Sequence, residues 1–295
     1  KSSLIITDMS DENKIIKELR SLFNLLDEPD IELQNNIAKK IISIYEEAFF
    51  IDKKKNTYNN LISLLEEEIS LALDNTKKIY LKNIYSTIKI NNYTNSIIEW
   101  QKNEITNLYK GYLIFSSFKR HINKKDVDSC INSLVRDIWL ELNNYSTPID
   151  KIITINKVLF NTHKYKIENN NTDEKLIFLD EILKNKKTTE ISFKIFTLTI
   201  FQLLHLPIKP VLINKTLWAC YTNKSRDIPF INDNTILFFF NPIAPKELIN
   251  TTNMQAPYEI INNYNIILLL INELCNILSK KNYPIHEINT ILKRL

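Results

Sequence analysis

Along the first half of the chain, apolar residues recur with the spacing of an α-helix. Ile15, Ile16, Leu19, Leu22, Phe23, Leu25 and Leu26 make one such stripe. Asp27-Glu28-Pro29-Asp30 then breaks it, and Asp30 is placed to cap a second helix through Ile37, Ile41 and Ile44. Leu19, Leu22, Leu26, Ile37 and Ile41 are the expected packing face of this hairpin. Two further helices are predicted at 58–73, through Leu61, Leu64, Leu65 and Leu71, and at 77–90, through Ile79, Leu81, Ile84 and Ile88. A leucine-rich helix closed by an Asp-Pro turn and answered by an antiparallel partner is HEAT-like, although no third copy recurs at a fixed period. Residues 94–145 continue as helices carrying Ile97, Ile98, Trp100, Leu108, Leu113, Phe115, Val127, Ile131, Leu134, Ile138 and Trp139.

Thr147-Pro148 is an N-cap and first-turn pair opening a helix through Ile152, Ile155 and Val158. Helices near 173–185 and 189–204 follow. After Leu206-Pro207 the period changes. Ile208–Ile213, Leu217–Tyr221 and Ile236–Phe240 are short apolar runs, which predict a small antiparallel sheet confined to about 207–241. A polar insert, Thr222–Asn234, joins the last two. A helix over 259–280 and a short one opened by Tyr283-Pro284 close the chain. The fold class is α+β, mainly α-helical.

Composition narrows the chemistry. Gly111 is the only glycine in 295 residues, where average usage gives roughly twenty. Dinucleotide fingerprints, P-loops, Gly-framed serine elbows and EF-hand loops need glycines at fixed places, and are set aside. Gly, Ala and Arg are scarce while Lys, Ile and Asn abound, the pattern of an AT-rich, reduced bacterial genome; clusters such as Asn169-Asn170-Asn171 therefore carry little meaning. With no apolar leader segment at the start, the expected location is the cytoplasm, with no membrane partner. The net charge of +4 is small, so Lys53-Lys54-Lys55 reads as a solvated loop ahead of an RNA contact. Cys130, Cys220 and Cys275 lack CxxC spacing and read as reduced core residues.

The remaining candidates resolve in the same direction. Glu66, Glu67 and Glu68 point to different faces of a helix and cannot converge on one metal or proton. His121, His163, His205 and His286 show no metal-ligand spacing, so neither a metal nor a cofactor is implied. Phe238-Phe239-Phe240 reads as a strand covered on both faces, not a base-stacking platform.

The order of these elements resembles the transglutaminase-like superfamily, in its SirB1-type, Bacteroidota-type branch. The resemblance is carried by Leu25-Leu26-Asp27-Glu28-Pro29-Asp30, Leu108-Tyr109-Lys110-Gly111-Tyr112-Leu113-Ile114, Arg136-Asp137-Ile138-Trp139-Leu140-Glu141-Leu142 and Ile155-Asn156-Lys157-Val158-Leu159-Phe160. His163, Phe178-Leu179-Asp180-Glu181-Ile182-Leu183, Leu206-Pro207-Ile208 and Phe240-Asn241-Pro242 complete it. It implies HEAT-like hairpins over 1–92, a helical connector over 93–146, a papain-like transglutaminase-like core over 147–256 and C-terminal helices over 257–295.

Such a core carries an acyl-transfer triad: a nucleophile at a helix N-terminus, a His on one strand and an Asp or Asn on the next. The resemblance sets Ile177 at the nucleophile position, Thr216 at the histidine and Asn241 at the third place, while Thr188-Thr189-Glu190 replaces a Gly-Asn-Pro loop. Isoleucine cannot attack a carbonyl, and threonine cannot shuttle a proton near neutral pH. The expected function is thus a non-catalytic scaffold binding a protein partner, with no small-molecule substrate. The alternatives are a cysteine-dependent acyl transferase or hydrolase using Cys220, and an RNA-associated accessory factor.

Overall fold

The predicted helical periods appear as helices in a computed structural model, which describes residues 2–51, 56–118, 120, 122–143, 145–169, 173–223, 235–281 and 286–294. Lys53-Lys54-Lys55, His121, Asn170-Asn171, Tyr283-Pro284 and most of the 222–234 insert lie outside these. The chain divides into a unit of residues 1–95, joined by Arg294, and a unit of residues 96–293.

The first unit is built from α1 (Ser2–Leu25), α2 (Ile31–Ile51), α3 (Asn56–Leu71) and most of α4 (Asn75–Asn103). Asp30 Oδ1 accepts the Glu32 and Leu33 amides at 2.8 and 3.3 Å, satisfying donors that open α2. The buried Gln34 side chain donates to the carbonyls of Leu26 and Glu28, which ties the turn shut. Leu19, Leu22, Leu26, Ile37 and Ile41 are all buried, in one core with Leu61, Leu65, Leu81, Ile84 and Ile88. Each such aliphatic side chain contributes about 1.5–3 kcal/mol on burial. Leu25, Leu71 and Ile79 are exposed: Leu25 and Leu71 are the last residues of α1 and α3, and Ile79 lies about 160° round α4 from the buried Leu81.

The second unit opens with α5 (Leu108–Ser116), α6 (Lys124–Glu141) and α7 (Pro148–Lys157). Thr147 and Asp150 form a reciprocal capping box around Pro148. Next come β1 (Lys166–Ile167), α8 (Leu179–Asn185), β2 (Lys187–Thr188) and α9 (Glu190–Leu203). The strands are β3 (Ile208–Ile213), β4 (Thr216–Thr222), β5 (Ile236–Asn241), β6 (Ala244–Asn250) and β7 (Tyr258–Ile260), followed by α10 (Asn263–Lys280) and α11 (His286–Arg294). Among the described residues no strand precedes Lys166.

The sheet is antiparallel in the order β6-β5-β4-β3-β7. It is wider than the predicted 207–241, since β6 and β7 lie beyond. Both are edges, and Pro245, Lys246 and Glu247 give β6 no apolar alternation to read. The parallel pair β1–β2 is likewise too short for a period. Alternation along the strands separates two apolar layers. Phe240 meets Phe201 of α9, ring centres 5.9 Å apart. Val211, Ile213, Cys220, Ile236 and Phe239 form a separate core with Trp218, Met254 and Tyr258. Phe238, Phe239 and Phe240 are thus buried on both sides of the sheet, as expected of an internal strand.

Candidate functional site

α9 is the helix laid on the sheet, packing against β3 and β4, and every residue from Ser192 to Phe201 is buried. The Thr189 hydroxyl caps it by accepting the Ser192 amide. Thr188, Thr189 and the Ser192 side chain are wholly buried. Beside Ser192 stands Tyr112 of α5, its phenol pushed up by burial. The Tyr112 hydroxyl donates to the Ile177 carbonyl at 3.0 Å, and Ser192 Oγ stands against the same phenol in a contact without good hydrogen-bond geometry. A helix N-terminus favours a developing negative charge, but this hydroxyl has no base bonded to it and no route to solvent.

Ile177 is wholly buried just ahead of α8, and α8 packs chiefly on α5 and α6. Thr216 is exposed, next to the tight Asn214-Lys215 turn between β3 and β4. Asn241 ends β5, donating its amide to Glu247 at 2.7 Å and accepting the Ile243 amide. The pairing of Ala219 with Phe240 sets Asn241 level with Trp218, two residues from Thr216. The structure brings Thr216 and Asn241 to one end of the sheet, and Ile177 lies where the Tyr112 hydroxyl binds its carbonyl and the Thr189 amide binds that of Leu176. Ser192 was not singled out from the sequence; its only signal was a Thr N-cap three residues earlier, ahead of an apolar helix followed by three strands.

Cys220 pairs with Phe239 and shares its core, on the sheet face opposite the one that meets α9. Burial pushes its thiol up to about 12. Cys130 departs from expectation: it is exposed, because the buried face of α6 is Val127, Ile131, Leu134 and Ile138 and Cys130 falls beside that stripe. Cys275 is half-buried, and all three thiols are free.

His163 follows a π-helical turn, with Nε2 3.4 Å from Asp137 Oδ2 in a contact without hydrogen-bond geometry. Burial holds its pKa below the ordinary value, helped by Lys186 and opposed by Asp137. His205 lies in the left-handed region, φ 56°, just past the C-terminal end of α9 and so at the far end from Ser192. Among the described residues, no group of three or more His, Cys, Asp or Glu is arranged to hold a metal ion. None of their helices is long and apolar enough to cross a membrane.

A buried helix resting on an antiparallel sheet, preceded by a helical layer, is an α+β core. Residues 125–259 match the family model described as the transglutaminase-like superfamily. The chain thus carries a transglutaminase-like domain, whose matched region opens inside α6 and closes in β7. No curated protein and no solved structure matches the chain.

Proposed function

We propose that this transglutaminase-like domain, of the SirB1-type branch, is a non-catalytic scaffold that works by binding a protein partner. One observation carries the reading: the first turn of the helix on the sheet offers acyl chemistry only a wholly buried Ser192 hydroxyl with no base bonded to it. Nucleophile and base act as a unit, and losing either removes nearly all of the rate enhancement. The cysteine-dependent alternative requires a Cys220 thiolate on the α9 side of the sheet. That residue instead faces the other core, with its thiol pushed up to about 12. The RNA reading rests on Lys53-Lys54-Lys55, outside the described residues.

The test is intact-mass and peptide mapping after incubation with a hydroxyl-directed fluorophosphonate and with an acylating thiol probe. The expected result is no adduct on Ser192 or Cys220 in the native protein; alkylation of exposed Cys130 reports accessibility alone. A stoichiometric adduct on either buried residue overturns the proposal.

A further inference from the structure

Resting on the scaffold reading, we infer that the end of the first unit formed by the α1–α2 and α3–α4 turns docks a basic amphipathic helix of a partner protein. The two turns are held together by Lys77, whose Nζ lies 2.7 Å from Asp27 Oδ2 and whose side chain is only 13% exposed. Around this bridge stand large aliphatic side chains that the fold leaves in water. Leu73 is fully exposed, and Ile31 and Leu71 are 66 and 64% exposed, with Leu25 and Leu33 beside them. Single exposed aliphatics are ordinary, but a cluster across two adjoining turns is the mark of an interaction surface.

Charge selects the occupant. The two turns carry Asp27, Glu28, Asp30, Glu32 and Asp74 against Lys77 and Lys78, in a chain whose net charge is +4. Asp27 is engaged by Lys77, while Asp30 and Asp74 accept helix-opening amides. Glu28 and Glu32 remain exposed at the rim. A second copy docked symmetrically through this end would set the same carboxylates against one another. Nucleic acid and anionic lipid are repelled for the same reason. A helix with an aliphatic stripe flanked by Lys or Arg satisfies both the apolar centre and the acidic rim.

The experiment titrates the full chain, at physiological salt, into a fluorescein-labelled amphipathic peptide of Leu and Lys, read by anisotropy. A Leu/Glu peptide of the same pattern is the control. Two double variants are compared: Leu73→Asp with Ile31→Asp, and Glu28→Lys with Glu32→Lys. All four side chains face solvent; Ile31→Asp favours the α2 N-terminus and Glu32→Lys modestly opposes it, so circular dichroism first confirms that each variant is folded. Saturable binding of the Leu/Lys peptide is expected, weakened about tenfold or more by either double variant, with no binding of the Leu/Glu peptide. Absence of saturable binding, equal binding of the acidic peptide, or unchanged affinity in both folded variants overturns the inference. None of these results bears on whether Ser192 or Cys220 takes an adduct, so the two proposals fail separately.

Discussion

A Cβ placed on Gly111 would overlap the Trp100 ring, lying 2.7 Å from its Cε2, well inside any contact two such atoms make. The ring has nowhere to retreat. Trp100 is buried, and its Nε1 donates to the Asn107 carbonyl at 2.9 Å, on the residue whose side chain caps α5. The chain's single glycine is therefore spent on close packing between α4 and α5, with no positive φ involved.

Gly111→Ala should accordingly destabilise the protein. On an exposed helix the change gains about 1 kcal/mol from propensity. Here the overlap forces the indole or a helix to shift, at a cost of about 1–3 kcal/mol or more. The severity of the contact puts the net effect on the destabilising side, by about 1–2 kcal/mol. Urea unfolding followed by fluorescence reads it directly, and an unchanged or raised midpoint would refute the packing argument.

The Asn214-Lys215 turn predicts the opposite sign for a new glycine. Its residues have φ 49° and 64°, and Ile213 pairs with Thr216 across it, the geometry of a two-residue hairpin turn. Asn tolerates that region, whereas Lys gives up about 1–2 kcal/mol there. Glycine relieves the strain but frees the unfolded chain by about 0.4–1 kcal/mol. Lys215→Gly should thus raise stability by up to about 1 kcal/mol. A loss of stability in thermal unfolding would show that Lys215 makes contacts outweighing its backbone strain.

How far the sequence could be read follows from how each element is buried. β3, β4 and β5 are covered on both faces, so their apolar runs stand out. β6, with Pro245, Lys246 and Glu247 at an edge, carries no such signal. Leu71 keeps the helical period but is the last residue of α3, and only the packed structure separates it from Leu61. The surroundings of Ser192 were illegible for a different reason. Its neighbour Tyr112 comes from α5, distant in sequence, and a lone serine in an apolar helix carries no signal by itself. Cys220 was ambiguous in the same way until the pairing with Phe239 settled which face it joins.

His163 should make stability fall in mild acid. Burial and Lys186 hold its pKa below the usual 6.5, against the pull of Asp137. The native state therefore keeps the ring neutral where the unfolded chain takes up a proton. As pH drops below about 6.5 toward the lowered native value, the unfolded state binds more protons and stability is lost. His163→Gln should flatten that part of the curve in urea midpoints measured from pH 7.5 to 5. An equally steep loss in the variant would assign the effect to other groups.

Thiol reactivity should separate Cys130 from Cys220 in the native protein. Cys130 is exposed on α6, whereas Cys220 is buried between sheet and loop with its thiol pushed up from 9.0 to about 12. Such a shift lowers the thiolate fraction at neutral pH roughly a thousandfold, before steric exclusion is counted. Titration with a disulfide reagent at pH 8 should give one fast phase, abolished by Cys130→Ser. Cys275, half-buried and raised by burial, should follow slowly, and Cys220 should react only once the chain unfolds. The same shift has a signed consequence for stability. Above about pH 9 the unfolded chain releases the Cys220 proton while the native state retains it, so stability falls as pH rises through that range. Cys220→Ala should remove this alkaline component, while costing a little packing in the core shared with Val211 and Phe239. Fast labelling of Cys220 in the folded protein would contradict both its burial and its place on the face turned away from α9.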